Sequence, residues 1–252
     1  MVNDEFKGKN VLITGGSRGI GRATVKRFME LGANVAFTYV SHPEKAQELC
    51  EQYRSYQNTI KAYQLDTSKL DEISVICRAI ISEMGPMDVL VNNAGMTRDG
   101  YLLMSKHDNI IDVINADLTG LILVTQAILP GMIRKKGGSI INISSLAGVI
   151  GSPGQTNYSA AKSGVIGFTR TLALEVAAYN VKVNSISPGF IDTDILSTIP
   201  ADIMEKYMKS IPMQRLGTAD EIAKPVLFFA SSMSSFITGQ NLVVAGGGGF
   251  KV

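Results

Sequence analysis

The chain has 252 residues, 45% of them hydrophobic, enough to bury one large core and better suited to one α/β domain than to two. Its 24 basic and 22 acidic side chains give a formal net charge of +2, and the basic residues are scattered, which argues against nucleic acid as a partner. With no signal-type N-terminus, no uninterrupted apolar run of spanning length, two cysteines (Cys50, Cys77) without a partner motif and two isolated histidines (His42, His107), a cytoplasmic protein with no membrane association and no metal site is expected.

Residues 10–14 are a short apolar run of strand type that breaks at Gly15-Gly16-Ser17-Arg18-Gly19-Ile20-Gly21. Helical periodicity then runs from 22 to 31 and ends at Gly32. Glycines at 15, 19 and 21 let the backbone turn sharply and approach a ligand, and the N–H groups and positive end of the following helix suit a pyrophosphate. The second strand, 34–40, ends in Thr38, Tyr39 and Val40 and is followed by Ser41 and His42, where a carboxylate would hold the ribose 2′-hydroxyl of NAD; the first acid is Glu44. Arg18, inside the glycine turn, is a cation placed to pair with a 2′-phosphate, so the fingerprint points to NADP(H).

Alternation continues with a predicted helix over 43–56, strand 60–65, helix 69–83 and strand 88–91. Strands separated by helices of this length imply right-handed crossovers and a parallel sheet covered on both faces. Asp66 and the run Asn92-Asn93-Ala94-Gly95 fall at carboxyl ends of strands, where such sheets bind ligands; a helix N-cap and a plain turn are the alternatives for Asp66 and Asn93. Helix 109–135 follows, with Pro130-Gly131 predicting a kink or break and Gly137-Gly138 a stop after Arg134-Lys135-Lys136.

Strand 139–145 carries Ser145 at its carboxyl end, on the same edge as the glycine turn. In the next helix, from 158 to 178, Tyr158 and Lys162 lie one turn apart on one face. A free phenol titrates at about 10, and a fixed positive charge beside it favours the phenolate, which makes Tyr158 a candidate general acid/base. The Ser145 hydroxyl is a candidate donor to a substrate carbonyl oxygen or to the alkoxide it becomes. Strand 181–186, Pro188-Gly189, a small helical cap over 191–213, helix 221–230 and strand 241–244 complete the chain.

Four motifs in this order, Thr14 to Gly21, Asn92 to Gly95, Ser145 with Tyr158-Ser159-Ala160-Ala161-Lys162, and Ser187 to Thr193, resemble the short-chain dehydrogenase/reductase family over essentially the whole chain. Within it, they resemble the 3-oxoacyl-(acyl-carrier-protein) reductases. The resemblance implies one Rossmann-type domain over 1–252, a doubly wound seven-stranded parallel sheet with helices on both faces, and a homotetramer built on the helices near 109–135 and 156–179 and on the last strand. Gly15, Ser17, Arg18, Ile20, Asp66, Thr67, Asn93, Ala94, Gly95, Pro188, Gly189, Ile191 and Thr193 would then line NADP(H), joined by Gly19, Gly21 and Tyr39 from the fingerprint. Tyr158 would protonate the alkoxide, Lys162 would hold the ribose and depress the tyrosine's pKa, and Ser145 would polarise the carbonyl.

The implied activity is NADPH-dependent reduction of a 3-oxoacyl thioester linked to acyl carrier protein or coenzyme A. Reduction of a polyketide intermediate, oxidation of a small secondary alcohol, and a weakly catalytic cofactor-binding scaffold are the alternatives. Two residues depart from the family. Asp117, in Ile114-Asn115-Ala116-Asp117-Leu118, stands where the family has the Asn of a proton relay; it joins the expected catalytic group and should alter the pH dependence of turnover. Leu174 stands where carrier-protein reductases often have a basic docking residue, so the resemblance reaches the ketone chemistry more firmly than the carrier protein.

Overall fold

The computed structural model describes residues 4–193 and 208–249. Its strands are β1 (Asn10–Ile13), β2 (Asn34–Tyr39), β3 (Ile60–Gln64), β4 (Val89–Asn92), β5 (Gly138–Ile143), β6 (Val181–Pro188), β7 (Ile191–Asp192), β8 (Gly217–Thr218) and β9 (Asn241–Val244). Seven of them form one parallel sheet in the order β3-β2-β1-β4-β5-β6-β9. The chain winds outward from β1 to β3, then crosses back to β4, so a crevice opens at the carboxyl edge between β1 and β4. The helices are α1 (Gly19–Glu30), α2 (Pro43–Gln52), α3 (Leu70–Met84), α4 (His107–Ile114), α5 (Gly120–Lys135), α6 (Ala147–Ile150), α7 (Thr156–Val176) and α8 (Ala219–Ala230).

Side-chain alternation sorts the central strands into two cores. Val11, Ile13, Val35, Phe37, Val89, Val91, Ile141 and Ile143 face Val25 and Phe28 of α1 and Ile222, Val226 and Phe229 of α8. Leu12, Ala36, Leu90 and Ile140 face the other way, onto Ile80 of α3, Val124, Ile128 and Met132 of α5, and Leu172 of α7. Strands buried on both faces must be apolar at nearly every position, which is why they read as continuous runs.

The long helix departs from its predicted form. Helix α5 continues through Pro130 and Gly131 to Lys135, with no break there. A proline inside a helix costs about 3 kcal/mol. Val124, Ile128 and Met132, all buried on the same helix, contribute about 1.5–3 kcal/mol each and outweigh it. The irregularity lies between α4 and α5, in a π-helical turn over Asn115–Thr119 where the Gly120 N–H donates to the Asn115 carbonyl, five residues back. A Cβ on Gly120 would meet the Thr67 carbonyl, so that close approach locks the turn against the end of β3. The residue that stops α5 in the left-handed region is Lys136 (φ 51°), one before the glycine pair. Helix α2 also ends early, at Gln52, where Tyr53 turns its ring inward.

The helical run His107–Lys135, 29 residues, is long and apolar enough to span a membrane, yet 50% of its most apolar window is buried inside the protein. The pairing of β7 with β8 was not foreseen. Most of the helical cap expected over 191–213 lies outside the described residues.

Across the outer face of the sheet, α1 and α8 are joined by Arg27, whose Nε and Nη2 donate to Asp220 Oδ1 and Oδ2 at 2.6 and 2.8 Å. Those bonds, with Lys224 assisting, hold the Asp220 carboxyl down at about 2. A carboxyl lowered on folding stabilises fully above its ordinary value of 3.8 and loses that contribution as pH falls through about 2. Both side chains are more than a third exposed, so Arg27→Ala is expected to cost only about 0.5–1 kcal/mol at neutral pH and less near pH 2, read from urea midpoints. An equal loss at both pH values would assign the effect to packing of the arginine stem.

Candidate active site

The turn after β1 is built by mutual support with the end of β4. Gly15 (φ +67°) donates its N–H to Thr38 Oγ1 at 3.1 Å, and the Gly16 N–H goes to the Thr38 carbonyl at 2.8 Å. From the other side, Asn93 Nδ2 donates to the Thr14 and Gly15 carbonyls, each at 3.0 Å, while Thr14 Oγ1 accepts the N–H groups of Asn93 and Ala94. Asn93 therefore braces the turn through its Nδ2. Gly21 is needed because a Cβ there would lie 2.6 Å from Asn93 Nδ2, and Gly16 because one would lie 2.5 Å from Phe37 Cβ. Thr14 and Gly16 entered the sequence reading only as members of the turn motif and Thr38 only as a strand end; that they hold the turn together is seen in the structure.

Around this turn the other candidates fall into place. Arg18 precedes α1, is exposed, and makes no ion pair among the described residues; Ser17 is buried and Ile20 half-buried. Tyr39 closes β2. Beyond it, His42 takes the left-handed conformation (φ 65°) and its Nδ1 lies 2.8 Å from Glu44 Oε1, which occupies the first acid after the strand. Asp66 is not a helix cap: its Oδ1 accepts from the N–H and hydroxyl of Ser68, at 3.0 and 2.7 Å, and closes its own turn. Thr67 is buried behind it. The Thr193 methyl lies 3.4 Å from where a Cβ on Gly19 would be, so the chain after β6 returns to the glycine turn. Pro188 accepts the Leu146 N–H at 2.8 Å, the Gly189 N–H donates to Val244 at 3.0 Å, and Ile191 is buried.

The catalytic candidates converge on the same edge. Ser145 lies two residues past β5, its Oγ accepting the Ala147 N–H at 3.1 Å. Ser144 donates its hydroxyl to the Lys162 carbonyl at 2.8 Å, and a Cβ on Gly148 would lie 2.8 Å from Lys162 Cβ, so this segment packs against α7 at the lysine. Lys162 Nζ lies 5.6 Å from the centre of the half-buried Tyr158 ring and donates to the Ile143 carbonyl at 3.1 Å. Nζ is also 3.1 Å from Asp117 Oδ2, with both side chains buried. Oδ2 lacks the direction of a hydrogen bond, so the contact is mainly an attraction between charges. Burial is the largest influence on the ammonium and lowers its pKa, but Asp117 and Tyr158 together overcome it and leave Lys162 above the ordinary lysine value.

Beneath the site a buried chain of side chains ties its parts together. Asn92 Nδ2 donates to Thr125 Oγ1 and Asn142 Oδ1, and Asn142 Nδ2 donates to Thr169 Oγ1, all at 2.8–2.9 Å. It joins α5, β4, β5 and α7: α7 carries Tyr158 and Lys162, β5 precedes Ser145, and α5 follows Asp117.

Over residues 15–248 the chain matches the family profile described as enoyl-(acyl carrier protein) reductase. It is similar to the Thermotoga maritima protein named 3-oxoacyl-(acyl-carrier-protein) reductase FabG, at 41% identity over 242 residues, covering 96% of this chain and 98% of that one. Proteins of the same name from Chlamydia pneumoniae and Staphylococcus aureus are 42% and 40% identical over 240 and 239 residues, covering 95% of this chain in each case and 96% and 97% of theirs.

Proposed function

Because the chain belongs to the short-chain dehydrogenase/reductase family, we propose that it is an oxidoreductase that reduces the ketone of a 3-oxoacyl thioester with NADPH. The observation that carries this reading is the Tyr158–Lys162–Asp117 cluster, packed beside the Ser145 segment at the carboxyl edge of the sheet. The relatives' names supply the thioester and its carrier protein.

The crevice residues fit a phosphorylated dinucleotide. Gly19 opens α1 in the left-handed region (φ 52°), Arg18 is exposed beside it, and Glu44, the nearest acid after β2, is held by His42. Arg18 and the turn would take the phosphates, and Asp66, Thr67, Ala94, Gly95 and the segment from Pro188 to Thr193 would flank the rest. When bound, the dinucleotide supplies the hydride. The chain's own residues do the remainder: Ser145 donates a hydrogen bond to the ketone oxygen, Tyr158 gives that oxygen its proton, and Lys162 holds the ribose. Arg18→Ala is expected to weaken NADPH binding about 10- to 100-fold, the loss of one or two charge-assisted hydrogen bonds, with little change for NADH. Equal losses in a binding titration would remove Arg18 from the 2′-phosphate.

A second reading comes from the family description, which names an enoyl rather than a 3-oxoacyl reductase. Loss of NADPH absorbance with acetoacetyl and with crotonyl thioesters separates the two: ketone reduction alone supports the proposal, and alkene reduction alone overturns it. Turnover of neither by protein that binds NADPH favours a scaffold. Small ketones and cyclic diketones added to the same assay test the remaining alternatives.

A cytoplasmic homotetramer completes the proposal. Cys50 and Cys77 are unpaired thiols, and α7 presents an exposed Leu174 at the end of a row of small residues, Ser163, Gly167 and Thr171. Sedimentation at the mass of one chain would remove the assembly.

A further inference from the structure

Asp117 is fixed from four sides. Its π-helical turn is seated on the Thr67 carbonyl through Gly120, the neighbouring Leu118 packs on Gly164 of α7, and Oδ1 accepts the Met96 N–H at 2.8 Å. On the fourth side stands Lys162. A Cβ on Gly95 would lie 2.7 Å from Oδ2 and 3.2 Å from Nζ, so glycine is needed there to admit the pair. The carboxylate is thus held at the ammonium.

Few other charges reach this cluster. The β5 edge brings only the Ile143 carbonyl and the hydroxyls of Ser144 and Ser145. The loop after β4 carries Arg98 and Asp99, both exposed, with Asp99 turned to Gln155 Nε2 at 3.1 Å. Helix α4 carries the exposed His107 and Asp108 and the half-buried Asp112. The titratable groups acting on Lys162 are Asp117 and Tyr158.

We infer that Asp117 is a positioning residue that sets the pH range of the reaction and favours reduction over alcohol oxidation, by offsetting the Lys162 charge that would otherwise pull on the Tyr158 proton. Ketone reduction needs the phenol to give a proton, whereas alcohol oxidation needs the phenolate to take one. A lone ammonium beside the phenol promotes the second form. An ammonium neutralised at 3.1 Å by a carboxylate promotes it far less. The sign does not depend on which group titrates first: a negative charge beside the tyrosine–lysine pair makes the first proton harder to remove from either.

The inference rests on the reductase reading for the direction of reaction, and its test carries a substrate-free arm. Asp117→Asn keeps the size of the side chain and an acceptor for the Met96 N–H. The high-pH limb of ketone reduction is expected to move down by about one pH unit, the size produced by one charge several ångströms away at an effective dielectric of about 20. The low-pH limb of alcohol oxidation should move down with it. Independently, a tyrosinate absorbance titration of each protein, minus that of its Tyr158→Phe counterpart, should shift the same way with no substrate present. Superimposable titrations, or a shift to higher pH, overturn the inference. A chain that reduces no ketone but shows the titration shift retains the ionic role and loses the reductase reading. Asp117→Ser, smaller and uncharged, should give the same shift and serves if the amide is not tolerated.

Discussion

Tyr158→Phe is expected to lower ketone reduction by at least about a thousandfold while NADPH binds as before. General acid catalysis contributes on the order of a hundred- to ten-thousandfold, and the proposed function assigns that proton to the Tyr158 hydroxyl, with Lys162 kept charged by Asp117. The substitution removes one oxygen from a half-buried ring, and no hydrogen bond from that oxygen to any described residue is lost. Cofactor affinity by fluorescence titration and turnover on an acetoacetyl thioester are the two measurements. A Phe variant with a substantial fraction of the original rate would mean that another donor supplies the proton.

Lys162→Met is expected to abolish turnover and also to destabilise the protein by about 3–5 kcal/mol, because it keeps the apolar stem but leaves the Asp117 carboxylate buried without its countercharge. Adding Asp117→Asn should recover most of that stability, since a neutral amide needs no cation, and should recover none of the activity, since the ammonium is still missing. The comparison is made by urea unfolding of both single variants and the double variant. A double variant no more stable than Lys162→Met alone would show that the ion pair is not what the lysine contributes to the fold. This split between stability and rate separates the structural role of the pair from its chemical one.

Much of this was legible in the chain because it depends on neighbours in sequence. Short runs of strand type at 10–14, 34–40, 88–91 and 139–145, with apolar residues on both sides of the alternation, mark strands buried on both faces, and they are the neighbours β1, β2, β4 and β5 of the sheet. Helical spacing put Tyr158 and Lys162 on one face, and the turn glycines were visible as a break between strand and helix. The positive φ at Gly15 and Gly19 is what such a break requires. Where local rules met a competing long-range term they misled: Pro130 reads as a break, but burial along α5 carries the helix through it, and Lys136 takes the left-handed position although two glycines follow.

Sequence by itself determined the alternation of elements, the glycine turn and the Tyr158–Lys162 spacing, since each is a property of residues within a turn or two of one another. Tertiary structure alone decided that the Asn93 amide is used by the glycine turn, that Asn92 and Asn142 link four elements beneath the site, and that Asp117 touches Lys162 directly rather than standing off from it. The physical reason is common to all three. A buried amide or carboxylate must find a partner or suffer the loss of water, and which partner it finds is fixed by the sheet order and by the π-helical turn, which bring together residues that no local periodicity relates.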